Sequence, residues 1–226
     1  MRKHITGSYV LLLCLLWTSE SHAQDEALNL LQKKILKNAQ DLMNLYDISY
    51  VYGGRLPGGE AKNCLSCRNC LKKTQPPPGQ RLTFCPVCLE CSIDCSHFVS
   101  LIYQQSGLDA PYLTTRQMLS LPLATLYHRY HLLPVDGLER ARSGDLLVCK
   151  GHVALLERRS GMNRGDIIHA TGGQAIREPG QGIQRRTNVD LRRFCGALKK
   201  ILRHKKLFII NDLTQSFSFP PDKQDR

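Results

Sequence analysis

The sequence predicts an α+β fold, and three observations point to it. Helical patterning fills the early part of the chain, in an amphipathic stretch from Asp25 to Tyr46 and in an apolar helix that starts at Cys95. The segment from Arg142 to Ala170 is strand-rich: Gly144-Asp145-Leu146-Leu147-Val148, Gly151-His152-Val153-Ala154-Leu155-Leu156 and Asp166-Ile167-Ile168-His169-Ala170 each read as a short strand. Between the two helices the composition shifts abruptly to prolines, glycines and six cysteines, which marks an insertion (55–92) in an otherwise regular chain.

A chain of 226 residues, 42% hydrophobic and 22% charged, has room for one domain with a real core plus appendages. The first 23 residues read as a cleaved leader. Arg2, Lys3 and His4 form a basic start, Tyr9 to Trp17 is a short apolar run, and Ser21-His22-Ala23 places small residues where a signal peptidase reads. That run is too short to span a bilayer, which takes about 20 apolar residues. A soluble exported bacterial protein, periplasmic or secreted, is expected, with no transmembrane segment after leader removal. The domain is expected over 24–213, with a disordered polar tail over 214–226.

In the first helix, Leu28, Leu31, Ile35, Leu42 and Leu45 fall near one face, as scaffold. Ile48-Ser49-Tyr50-Val51-Tyr52 is a short strand or extended entry stopped by Gly53-Gly54. The helix from Cys95, capped by Asp94 or Ser92, ends at Ser106-Gly107, and Thr114 to Leu121 is a second short helix. Leu123 to Tyr130 leads towards a loop broken at Pro134 and Gly137. Thr171 to Thr187 reads as loop, and Phe194–Leu202 and Leu207–Ile210 as further strands.

Chemistry concentrates at Cys95. At a helix start, unpaired amides and the positive helix end favour the reactive thiolate. His152 opens one strand and His169 lies near the end of the next. A nucleophile on a helix, a base on a strand and an orienting group on the following strand are the parts of a Cys–His acyl hydrolase, and the amides at the helix start are natural oxyanion donors. A neutral imidazole titrating near ~6.5 would take the thiol proton.

The six insertion cysteines admit two readings. Cys67-x-x-Cys70 and Cys85-x-x-Cys88 have zinc-ribbon spacing, with Cys64 and Cys91 left over. In an oxidising compartment the same residues would instead form three disulfides, of unreadable connectivity, stapling a loop with no core of its own. Cys149 and Cys195 are buried thiols or a pair. With Cys14 in the leader, one free nucleophile and four bridges would balance the rest.

The formal net charge is +12. An exported basic protein meets few nucleic acids, so none is expected as a partner; anionic wall polymers and membrane surfaces are nearer. The run Lys199, Lys200, Arg203, His204, Lys205 and Lys206 reads as a wall- or membrane-facing patch or as a solvated face.

The motifs Tyr50-x-Tyr52-Gly53-Gly54, Asp94-Cys95-Ser96, Gly144-Asp145-Leu146-Leu147, Gly151-His152-Val153 and Ile168-His169-Ala170 occur in that order. Together they resemble the NlpC-type family of papain-like cell-wall endopeptidases, over roughly half the chain. The resemblance implies a papain-like fold with the nucleophile helix packed on a small antiparallel sheet. It implies Cys95 as nucleophile, His152 as base and His169 as the third residue, with no cofactor required. It also implies that Tyr50, Asp94 and Ser96 contact substrate, and that the substrate is a peptidoglycan stem peptide cut between γ-D-glutamate and a diamino acid. Two departures stand out: His97 occupies a position that is usually Gly, and the Cys-rich insertion abuts the nucleophile. His97 is given no catalytic part, since two residues along a helix it faces away from Cys95. An inactive wall- or protein-binding module using the insertion, and a secreted antibacterial amidase toxin, are the alternatives.

Overall fold

A computed structural model describes residues 26–44, 48–56, 61–77, 80–172 and 182–208. The expected leader (1–23) and the expected tail (214–226) lie outside them. The chain is an α+β molecule built on a six-stranded antiparallel sheet. Helix α1 (26–44) comes first. Strand β1 (Ser49–Tyr50) follows, then α2 (Ala61–Thr74), α3 (Arg81–Phe84) and a 3-10 turn (Pro86–Leu89). After β2 (Ser92–Ile93) come α4 (Cys95–Gln105), α5 (Thr115–Ser120), α6 (Leu123–Tyr130) and β3 (Leu132–Pro134). The chain closes with β4 (Leu146–Cys149), β5 (His152–Arg159), β6 (Arg164–Thr171), β7 (Gly182–Asp190) and β8 (Leu198–His204). The main sheet runs β3-β8-β4-β5-β6-β7, and β1 and β2 form a separate parallel pair.

Both faces of the main sheet are covered, which explains why its central strands read as nearly continuous apolar runs. On one face Val148, Val153, Leu155, Ile168 and Leu202 pack with Phe98 and Ile102 of α4 and Ile35 and Leu42 of α1. On the other, Leu147, Ala154, Leu156, Ile167 and Ile201 pack with Leu138, Ala141 and Leu191. Helix α4 therefore lies on β5 and β6, the strands that carry the two histidines.

Several expectations are corrected. The insertion is not a stapled loop but a helical layer, and Cys64, Cys67, Cys85, Cys88 and Cys91 belong to the main core. Spacing by three sets Cys64, Cys67 and Cys70 along one stripe of α2, facing Cys85, Cys88 and Cys91 on an antiparallel return. Three nested bridges result: Cys64–Cys91, Cys67–Cys88 and Cys70–Cys85. Residues 182–187, read as loop, are the start of edge strand β7. Gln184 to Thr187 are half-exposed or exposed, so no apolar alternation announces the strand, and pairing with β6 holds it instead.

Leu123–Tyr130 is a full helix, stopped by His131 in the left-handed conformation at φ 57°, and β3 follows at once. The last strand begins at Leu198, not Phe194. Before it the chain turns through Gly196 at φ 91°, where Cys195 is tied to Cys149. Leu207 sits in a 3-10 turn; residues 209 and 210 lie outside the described residues. The basic run is not a plain solvated face either. Arg203 and His204 are buried, and Arg203 makes paired hydrogen bonds to the Asp145 carboxylate at 2.8 and 2.9 Å.

Candidate active site

The glycine pair after Tyr52 is what brings the first motif to Cys95. Gly53 has φ 78°, and its N–H donates to Asp94 Oδ2 at 3.2 Å. The Gly54 carbonyl accepts from Asp94 N at 3.0 Å. A Cβ on Gly54 would meet Ser92 Oγ at 2.8 Å and Ile93 N at 2.9 Å, so only glycine permits this approach. Asp94, not Ser92, caps α4: its Oδ1 accepts from His97 N and from Ser96 Oγ, each at 2.8 Å.

Cys95 is the first residue of α4, buried and the one free cysteine among the described residues. Backbone hydrogen bonds from Val153, Cys95 and Ser96 reach its sulfur and favour the thiolate. The strongest of these comes from Val153, the residue after His152, so the sulfur faces the start of β5. Burial nevertheless outweighs the helix end and the three amides, with Asp94 adding to it, and pushes the thiol up to about 11. The expected low-pKa thiolate is thus corrected: the resting group is a thiol.

His152 Nε2 and His169 Nδ1 are 2.8 Å apart, on adjacent strands. The expectation of an unperturbed base is also corrected. Burial lowers His152 to about 4; burial first, then the proximity of His152 and Arg186, lowers His169 to about 3. Both rings are neutral at pH 7. Edge strand β7 pairs Gln184 with His169 and holds it in place. His169 Nε2 is buried without a hydrogen-bond partner. If His152 Nε2–H donates to His169, the His152 Nδ1 lone pair is left to take a proton, and the second proton of the pair sits on that unpartnered Nε2. This is the tautomer a base requires.

Of the residues expected to contact substrate, Tyr50 is half-buried and influenced by Cys95 and Asp94; burial chiefly raises it to about 12. Its ring lies against Gly172, where an added Cβ would meet Tyr50 Cδ1 at 2.7 Å. Ser96 and Asp94 are both buried at the foot of α4. Tyr112, which the sequence did not single out, completes this rim. Its hydroxyl is 3.3 Å from Ser96 Oγ, and its ring stacks on His97 with centroids 3.9 Å apart. His97 Nδ1 also lies 3.0 Å from Asp94 Oδ2, off the line of a hydrogen bond. A single tyrosine after a proline, in a loop, carries no periodic signal that could have flagged it.

A sulfur held in a disulfide has no thiolate to offer a metal. The zinc reading of Cys67, Cys70, Cys85 and Cys88 therefore gives way to Cys67–Cys88 and Cys70–Cys85. With Cys149 joined to Cys195, four bridges and one free thiol account for the described cysteines. Compared with known family models, curated proteins and solved structures, the chain gives no match.

Proposed function

We propose that this chain is an exported cysteine peptidase of papain-like, NlpC-type fold that hydrolyses amide bonds of peptidoglycan stem peptides, of the γ-D-glutamyl–diamino acid kind. The observation that carries the reading is the free Cys95 thiol at the start of α4, hydrogen-bonded to the strand that opens with His152, with His152 in turn 2.8 Å from His169. Four disulfides support export to an oxidising compartment. Among the described residues no helix is long and apolar enough to cross a membrane.

The chemistry follows from the neutral resting pair. His152 Nδ1 takes the thiol proton as the Cys95 sulfur attacks the scissile carbonyl carbon. The amides near the helix start face the developing oxyanion. The proton passes to the leaving amine, a thioester remains on Cys95, and water activated by His152 hydrolyses it. No cofactor enters these steps. Asp94 and Ser96, joined by Tyr50 and Tyr112, form the polar wall for the free amino end of the stem peptide. The Cys95 sulfur is not tied up in a disulfide, which removes one of the grounds for the inactive-module alternative.

The test is acid-quenched intact-mass analysis after mixing with a stem tetrapeptide. The reading expects an acyl adduct that maps to Cys95 and disappears in Cys95→Ala. An adduct at another residue, or turnover retained in Cys95→Ala, overturns it.

A further inference from the structure

Two cavities lie on the sheet face turned away from Cys95, around the 3-10 turn Leu138–Arg140 that follows β3. Strand alternation assigns that face to Leu147, Ala154, Leu156 and Ile201, a cluster separate from the one that holds Cys95. The first cavity, of about 400 Å³, has four arginines in its lining, Arg140, Arg142, Arg159 and Arg203. The second, of about 390 Å³, is lined by Arg192, Lys199 and Lys200. They adjoin, sharing Val135 and Glu139. Asp136 and Glu139 are the carboxylates in the lining, so cations outnumber them clearly.

Two of these cations are committed to the fold. Arg203 is bound to Asp145 beneath the Phe208 ring, and Lys200 Nζ donates to the carbonyls of Met118 and Leu119. Arg142 lies close enough to Asp145 to act on its carboxyl as well, which leaves Arg140, Arg159, Arg192 and Lys199 to point to a ligand. Arg140, Arg192 and Lys199 are exposed. Arg159 donates from Nη1 to the Glu139 carbonyl, while its Nε is buried with no acceptor. A desolvated guanidinium N–H without an acceptor is costly unless an anion supplies one.

We propose that the two cavities form one receptor for a phosphate-bearing anionic polymer, one charged unit in each. Two adjoining cavities of near-equal volume along a line of cations suit a repeating anion better than one small ion. Guanidinium forks match phosphate oxygens in pairs, and a phosphodiester keeps its charge across the working pH range. The receptor is separate from the Cys95 site, and the inference stands whether or not that site is hydrolytic.

The experiment is calorimetric titration of the mature protein with linear sodium polyphosphate, beside inorganic phosphate, poly-L-glutamate and vesicles of anionic phospholipid. Variants are Arg140→Gln with Arg159→Gln, Arg192→Gln with Lys199→Gln, and, as a charge-matched control on exposed lysines of α2, Lys72→Gln with Lys73→Gln. Polyphosphate should bind best, and each cavity pair should weaken it about tenfold, or about 1.4 kcal/mol; the control should leave it nearly unchanged. An equal loss in all three pairs overturns the proposal in favour of diffuse charge. Equal affinity for poly-L-glutamate removes the phosphate preference, equal affinity for inorganic phosphate makes it a single-ion pocket, and binding to vesicles alone makes it a membrane surface. Hydrogen exchange on the wild type is a second readout: polyphosphate should protect 135–142 and 192–201, and protection elsewhere alone contradicts the assignment.

Discussion

At Cys95 and His152 burial, not charge, sets the protonation state. The thiol stands at about 11 and the imidazole at about 4, so at neutral pH the transferable proton rests on sulfur and the imidazole is neutral. As the proposed base, His152 would be lost to the reaction only when it protonates, as pH falls through about 4. The acid limb of kcat/KM should therefore lie near pH 4, and a rate profile on a stem tetrapeptide checks this; a limb near the ordinary imidazole value of ~6.5 would contradict it. Tyr112 offers a second check. Tyr112→Phe keeps the stack on His97 but removes the hydroxyl beside Ser96. One hydrogen bond of about 0.5–1.5 kcal/mol corresponds to a roughly two- to tenfold rise in KM, with kcat unchanged.

At the scale of elements, the site depends on close approaches that only glycine allows. Gly172→Ala would drive a methyl into the Tyr50 ring. Such overpacking costs about 1–3 kcal/mol. A lower melting temperature with reduced kcat/KM is expected, and an unchanged rate would separate Tyr50 from the chemistry. The disulfide ladder sets a different limit. Cys70→Ala with Cys85→Ala removes the rung that spans 15 residues, while Cys64–Cys91 and Cys67–Cys88 keep the segment closed. Denaturant melts should show a loss below the ~3 kcal/mol of an isolated bridge over such a loop. These elements also show what was legible. Helix α4 announced itself because its apolar residues recur at the period of the face it buries, and strands β4, β5 and β6 because burial on both faces makes them short, nearly continuous apolar runs. Edge strand β7 did not, because solvent accepts its Gln184, Arg185 and Arg186. The ladder's connectivity was hidden as well: spacing alone does not say that α2 and its return run antiparallel.

Over the whole molecule, buried polar groups make the fold sensitive to acid. His152, His169 and His204 are held neutral to about 4, 3 and 4, chiefly by burial. Unfolded histidines take up protons near ~6.5, so between that value and about 4 the unfolded chain binds more protons than the folded one. Stability is therefore complete above ~6.5 and is lost as pH falls, and the melting temperature should drop across that window. Asp145 and Arg203, both buried, bind β8 to the approach to β4. Asp145→Asn leaves the guanidinium without its counter-charge and should cost about 3–5 kcal/mol by denaturant unfolding. The sequence placed Asp145 in a motif and Arg203 in a basic run without linking them, since only the sheet order sets β8 beside β4.

Cys95, with His152 and His169, is proposed to cut stem peptides. Mass spectrometry of purified muropeptides incubated with the mature protein, beside Cys95→Ala, tests it most directly. Products that differ in mass by a stem cleaved after γ-D-glutamate are expected from the wild type and not from Cys95→Ala. Intact muropeptides in both reactions, with Cys95 shown by thiol labelling of the denatured protein to be free, would contradict it.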